Sequence, residues 1–232
     1  MREFFKASWL VLASSIGFGL LLAFTYATWQ PRILMNQRLA IERGVREILP
    51  EASEIRADTL SLSGSEGQPE ELVVYHGLGP EGAPVGHAYI AAGTGFQDRI
   101  QLLVGLDRNL SRYRGIVVLS AAETPGFGDA LRDSTIFRGQ FIGAPADTSL
   151  VVVKGPDSDR AKTGDREIIS ITGATITSES ATGIVNRRTK QVRPLLMQRL
   201  RTEGAGGGGT RDAHPDTSAS NAAFTGAGKE GR

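Results

Sequence analysis

From Ala7 to Trp29 no residue carries a charge, and the run ASWLVLASSIGFGLLLAFTYATW is apolar enough to be read as one element. At 1.5 Å per helical residue it is long enough to cross a hydrocarbon core of about 30 Å. Trp9, Tyr26 and Trp29 lie near its ends, where amphipathic rings favour the headgroup level. Beyond Pro31, RILMNQRLAIERGVREILP places Ile33, Leu34, Ile41, Val45, Ile48 and Leu49 at roughly helical spacing and stops at Pro50. It predicts a stalk helix.

Short β-branched runs follow: ELVVYHG, HAYIAAG, IQLLVGL, GIVVLSA and LVVVKG, separated by Gly, Pro and Asp, which read as strands. Leu102 to Leu106 and Ile116 to Leu119, joined by the polar DRNLSRYRG, predict an antiparallel pair. A helix is expected from about Ser178 to Lys190, resuming after Pro194 to Leu200. Strands followed by a helix give an α+β fold, here a mixed strand/helix domain behind a single N-terminal transmembrane helix. The expected layout is an anchor at 1–30, a stalk at 31–50, a domain at 51–202 and a disordered Gly-rich tail at 203–232. The tail's GAGGGGT is not a phosphate-binding loop, because no GK[ST] follows it and no strand precedes it.

Composition narrows the chemistry. The net charge is +1, from 26 basic and 25 acidic residues, with no basic stripe interleaved with aromatics, so a nucleic-acid partner is not expected. The chain has 0 cysteines, which removes thiolate iron–sulfur clusters, Cys-rich zinc sites, attached c-type haem, disulfides and a Cys nucleophile. His76, His87 and His214 show no ligand spacing, and no metal is expected. Redox chemistry in such a chain needs a cofactor held another way.

Two readings compete for the N-terminus. Arg2 and Lys6 form a basic segment like that of a cleaved signal peptide, but the apolar run exceeds an ordinary h-region and no A-x-A site precedes Gln30. Retention as an anchor is the expectation. Charge does not orient it, since Arg32, Arg38, Arg43 and Arg46 follow the run as closely as Arg2 and Lys6 precede it.

Candidate chemistry concentrates in ISITGATITSES, residues 169–180. Gly173 permits a sharp turn, Ala174 adds almost no bulk, and Thr175 is left exposed beside a helix start. Thr177 or Ser178 could cap that helix, whose free N–H groups and positive dipole end would suit a phosphate on Thr175. Glu179, expected in the first turn, would mildly repel that phosphate. The plain alternative is a Thr-rich N-cap and nothing more.

TGATITS resembles the flavinylation motif, S/T-G-A-T followed by a hydroxyl residue, of the FMN-binding domain family found in the G subunit of Rnf-type ion-translocating oxidoreductases and the C subunit of sodium-pumping NADH:quinone oxidoreductases. ILPEA from Ile48, GTGFQDRIQLLVGLD from Gly93 and ETPGFGD from Glu123 agree with it in order, so the resemblance runs from the anchor to about Leu200. It implies FMN joined by a phosphoester bond to Thr175, with Thr172, Gly173, Ala174 and Thr177 around it, placed there by a separate flavin transferase. ETPGFG would lie near the flavin: Glu123 and Thr124 offer hydrogen bonds, Pro125 and Gly126 turn the chain, Gly128 lets backbone approach a planar ring, and Phe127 packs on the ring or in the core. Alone, that segment reads equally as a type II turn closing a strand.

Two positions depart from the family pattern. An acidic residue usually stands six positions before the acceptor threonine, where this chain has Ile169. The usual aromatic after the first glycine of G-Y-G-G is Thr94 here, with Phe96 able to take over its packing.

The resemblance implies an electron-transfer subunit of a complex in the bacterial inner membrane, its soluble domain on the periplasmic side and its partners the other subunits and membrane lipid. No catalytic residue is expected, and no dinucleotide fingerprint suggests direct NADH binding. A stand-alone membrane-anchored flavoprotein reductase and a non-redox tethered interaction module are the alternatives.

Overall fold

A computed structural model describes residues 2–63, 69–121, 128–155 and 165–205. The chain divides into two compact units, residues 1–42 and 43–232. Helix α1 spans Arg2–Ile48 and passes through Pro31. In the first unit its apolar side chains are bare: Phe18 is 68% exposed, Leu22 70% and Phe24 73%. Leaving such rings in water is unfavourable, so this stretch needs an apolar medium around it. The helix is long and apolar enough to cross a membrane.

In the second unit five strands form an antiparallel meander: β1 (Glu54–Ser63), β2 (Pro69–Leu78), β3 (Pro84–Thr94), β4 (Arg99–Asp107) and β5 (Tyr113–Ala121), paired in sequence order. The four runs ELVVYHG to GIVVLSA fall on β2 to β5, and the expected hairpin pairs Leu102 with Val118 and Val104 with Ile116. LVVVKG supplies β6 (Val151–Val153), which pairs in parallel with β7 (Glu167–Ile169). β1 is not among the strands that the sequence predicts. Its buried Leu60 and Leu62 alternate with exposed Thr59 and Ser61, and Glu54, Arg56 and Asp58 dilute the apolar signal as befits a sheet edge.

After β5 come α2 (Gly128–Arg132), a 3₁₀ turn (Arg138–Phe141) and α3 (Thr175–Ala205). α3 corrects the expected helix in two ways. It begins at Thr175 rather than Ser178, and it runs unbroken through Pro194 to Ala205. Pro194 is exposed, so the carbonyl of Lys190 that loses its N–H partner can be hydrated. Residues 203–205, expected in the tail, are helical. The rest of the tail lies outside the described residues.

α3 lies on one face of the sheet, where Ala181, Ile184, Val185, Val192 and Leu196 pack with Tyr89, Ala91, Leu102 and Val104. The opposite face takes the end of α1. Val45, Ile48 and Leu49 are buried there, and glycines make the room: a Cβ at Gly105 would stand 2.0 Å from Ile48 Cγ2, and one at Gly86 2.7 Å from Leu49 Cδ2. Arg138 bonds Glu47 and Arg114 bonds Glu51, holding the same segment at its polar edge. The Arg114 hydrogen bond also keeps the Glu51 carboxyl below its ordinary range.

Candidate functional site

β7 ends at Ile169, and the chain reverses through Ile171, Thr172, Gly173 and Ala174 before α3 begins. Ala174 N–H donates to the Ile171 carbonyl at 2.9 Å, and Gly173 has φ +83°. A bonded four-residue turn with positive φ at its third position is a type II turn, and glycine is the residue that enters it without strain. Ile171 and Ala174 are buried and pin the turn, while Thr172 and Gly173 stand out in solvent.

Thr175 is the first residue of α3 and is half-buried. The N–H groups of a first helical turn have no intrahelical acceptor, and the helix dipole adds partial positive charge there. No acidic residue lies in this turn. Because α3 starts early, Glu179 falls in the second turn and the expected repulsion of a phosphate is weaker. The early start also moves Thr177 and Ser178 inside the helix, so neither is its N-cap.

Ser178 does something else. Its side chain is fully buried; Ile171 N–H donates to Ser178 Oγ at 3.0 Å, and the hydroxyl donates to the Ala174 carbonyl at 2.9 Å. One hydroxyl thus joins both ends of the turn to the helix. Upstream, Gln140 reaches in from the 3₁₀ turn, 2% exposed. Ile169 N–H donates to its Oε1 at 2.7 Å, and its Nε2 donates to the carbonyls of Ile169 at 3.1 Å and Ile136 at 2.9 Å. The amide behaves as a one-residue strand beside β7. Sequence reasoning misses both roles: Gln140 sits in the irregular stretch FRGQFIGAP, and Ser178 reads as a cap.

The structure therefore brings Thr172, Gly173, Ala174, Thr175 and Thr177 together at one helix start. Thr177 is 3% exposed and turned into the protein, which leaves Thr175 and Thr172 as the accessible hydroxyl-bearing residues. Glu123, Thr124, Pro125, Gly126 and Phe127 lie outside the described residues. Gly128 opens α2. The chain leaves β5 at Ala121, which pairs with Ile100, the partner of Gly93. Ile184 of α3 seats on Gly93, where a Cβ would stand 2.6 Å from Ile184 Cγ1. Phe96, just beyond, is 58% exposed.

Comparison with known proteins bears on this geometry. The family profile of the FMN-binding domain matches residues 95–190, which include the turn and the first half of α3. The G subunit of the ion-translocating oxidoreductase complex of Methanosarcina acetivorans is 35% identical over 161 residues, covering 69% of this chain and 79% of that protein. The chain belongs to the G-subunit family of ion-translocating oxidoreductase complexes. The corresponding G subunit of the Na(+)-translocating ferredoxin:NAD(+) oxidoreductase complex of Acetobacterium woodii is 36% identical over 149 residues, 61% of this chain and 68% of that one. Among solved structures, Shewanella oneidensis NqrC superposes with a TM-score of 0.51 at 16% identity, over 69% of this chain and 91% of that one, so the fold is shared. As a member of this family the chain is a redox component with an FMN-binding domain.

The residues present fit a flavin nucleotide held by its phosphate. A half-buried hydroxyl residue, first-turn N–H groups that lack intrahelical acceptors, an exposed glycine turn and the absence of a carboxylate from the first turn all suit an anionic ester at Thr175.

Proposed function

We propose that this chain is an electron-carrying subunit of a membrane-bound ion-translocating complex, with FMN esterified to the Thr175 hydroxyl. The observation that carries the reading is the position of Thr175: first residue of a 31-residue helix, directly after a type II turn, with no acidic residue in its own turn. An ester does not form from a free phosphate and an alcohol in water, so an activated donor is needed. A flavin transferase using a flavin dinucleotide would form the Thr175 Oγ–P bond as the bond from that phosphorus to the nucleotide leaving group breaks, the hydroxyl proton passing to the transferase.

Bound FMN supplies one- and two-electron transfer. This chain's part is positional. The first turn of α3 neutralises the phosphoester charge, the buried Ile171 and Ala174 fix the turn, and the exposed Thr172 offers a hydroxyl beside it. Glu123, Thr124, Pro125, Gly126 and Gly128 are proposed to approach the flavin, as the resemblance of ETPGFGD to the family's segment implies. Residues 1–30 are proposed to anchor the chain and 31–50 to form a stalk. The domain would face the periplasm, with the other subunits of the complex as electron donor and acceptor.

The test is made on protein from its native host. A denatured chain should fluoresce as a flavin in a gel, and the peptide containing Thr175 should carry the mass of an FMN phosphoester. Thr175→Ala should be dark while still folded. A wild-type chain without covalent flavin, produced where the transferase is active, overturns the reading.

A further inference from the structure

The acceptor turn is gripped from both sides by buried polar side chains that belong to different parts of the chain. On the downstream side, Ser178 is fully buried, and its single oxygen accepts from Ile171 N–H at 3.0 Å and donates to the Ala174 carbonyl at 2.9 Å. These are the first and last residues of the turn, so the hydroxyl fixes the distance between its ends. On the upstream side, Gln140 uses both ends of its amide on the backbone of Ile169, two residues before the turn, at 2.7 and 3.1 Å. A third bond, at 2.9 Å to the Ile136 carbonyl, ties the amide to its own element. The helix ladder does not require the Ser178 side-chain contacts, because Ser178 N–H already makes its helical bond to the Ala174 carbonyl at 3.0 Å.

We infer that Gln140 and Ser178 are positioning residues for flavin attachment: together they present the Thr175 hydroxyl to the flavin transferase in one fixed orientation. The inference rests on the Thr175 reading above and extends it to two residues that touch neither flavin nor hydroxyl. Phosphoryl transfer to an alcohol needs the attacking oxygen in line with the leaving group, so a loosely held acceptor spends little time in the reactive geometry. Thr175 follows Ala174 directly, and Ala174 is bonded through its N–H to Ile171 and through its carbonyl to Ser178. A loosened turn therefore passes its disorder to the acceptor. The Gln140 clamp on the backbone of Ile169 holds this position without relying on its side chain.

The experiment labels purified, unmodified full-length protein in detergent with the flavin transferase and its dinucleotide donor, and follows covalent fluorescence against time. Ser178→Ala and Gln140→Met are compared with Val192→Ala, a core change 17 positions beyond Thr175 on the same helix, at equal amounts of folded protein as judged by circular dichroism. Loss of the two bonds of Ser178, or of the three of Gln140, corresponds to a labelling rate slower by about tenfold or more in each of the first two variants. Val192→Ala, although destabilised, should label at the wild-type rate. Hydrogen exchange of the unmodified chains supplies a second readout: the Ile171 and Ala174 amides should exchange faster in Ser178→Ala, and the Ile169 amide faster in Gln140→Met, which removes its acceptor, with the sheet amides unchanged. Labelling of both variants at the rate of Val192→Ala overturns the inference while leaving attachment at Thr175 intact. An unlabelled wild-type chain instead overturns the Thr175 reading and the inference with it. Should Ser178→Ala fail to fold, Gln140→Met decides the outcome alone.

Discussion

Nδ1 of His76 lies 2.7 Å from Nδ1 of His87, across the register pair that joins β2 to β3. A contact this short needs a proton on one nitrogen and a lone pair on the other, so only one ring can be protonated at that edge. His87 is 1% exposed and its Nε2 has no partner among the described residues. Burial, and then the charge of His76, push the His87 pKa down to about 4, with Asp107 opposing them.

Stability should therefore depend on acid. Between pH 6.5 and about 4 the unfolded chain binds a proton at His87 that the folded chain refuses. Stability from this group is complete at neutral pH and is lost as pH falls through that window, by at most about 3 kcal/mol. Denaturant unfolding at pH 7 and pH 4.5 should show the loss. The difference between wild type and His87→Gln separates it from the carboxylates that titrate nearby.

Tyr89 and Tyr113 share one acceptor. Thr189 donates its hydrogen to the Val185 carbonyl at 2.8 Å, so both phenols, at 2.6 and 2.8 Å, must donate to its oxygen. Burial raises both phenol pKa values, Tyr113 to about 12. Thr189→Val would strand two buried hydroxyls and should cost about 2–4 kcal/mol, whereas Tyr113→Phe removes one donor and should cost about 1. Urea titration of the folded domain distinguishes them, and a Thr189→Val no worse than Tyr113→Phe would contradict the shared-acceptor account.

Gly105 has no space for a side chain, since a Cβ would meet Ile48 Cγ2 at 2.0 Å. Gly105→Ala should lower stability by about 1–3 kcal/mol through overpacking. Removing the opposing Cγ2 branch as well, in Gly105→Ala with Ile48→Leu, should recover part of that loss. A double variant no more stable than Gly105→Ala alone argues against direct contact.

Gly173→Ala would place a Cβ at φ +83° and should cost about 1–2 kcal/mol. Because the strain falls on the turn, melting temperature should drop and covalent flavin loading should fall with it. Gly82 has φ +73° and open space around it, and Gly82→Ala should show a similar strain with unchanged loading.

Much of this fold is legible in the sequence because β2 to β5 are apolar on positions that the core demands, and their runs stand clear of the Gly and Asp between them. β1 is not, because an edge strand needs only Leu60 and Leu62 on its covered side and fills the rest with polar groups. The start of α3 is displaced because Thr175 to Thr177 are weak helix formers by propensity, and tertiary anchoring by Ser178 overrides that preference. The site is legible as a motif, TGAT, but not as a structure. Gln140 comes from 35 positions upstream of Thr175, and no local pattern links the two.

The order of strands carries one more consequence. Every pairing in the meander joins neighbours in the chain, so the sheet can assemble as its residues leave the ribosome, whereas α3 emerges near the end of synthesis. A polypeptide that stops before α3 contains every strand of the meander yet lacks the helix start that carries Thr175, the proposed acceptor. On the proposed attachment, covalent flavin would mark only those chains whose synthesis had passed through α3.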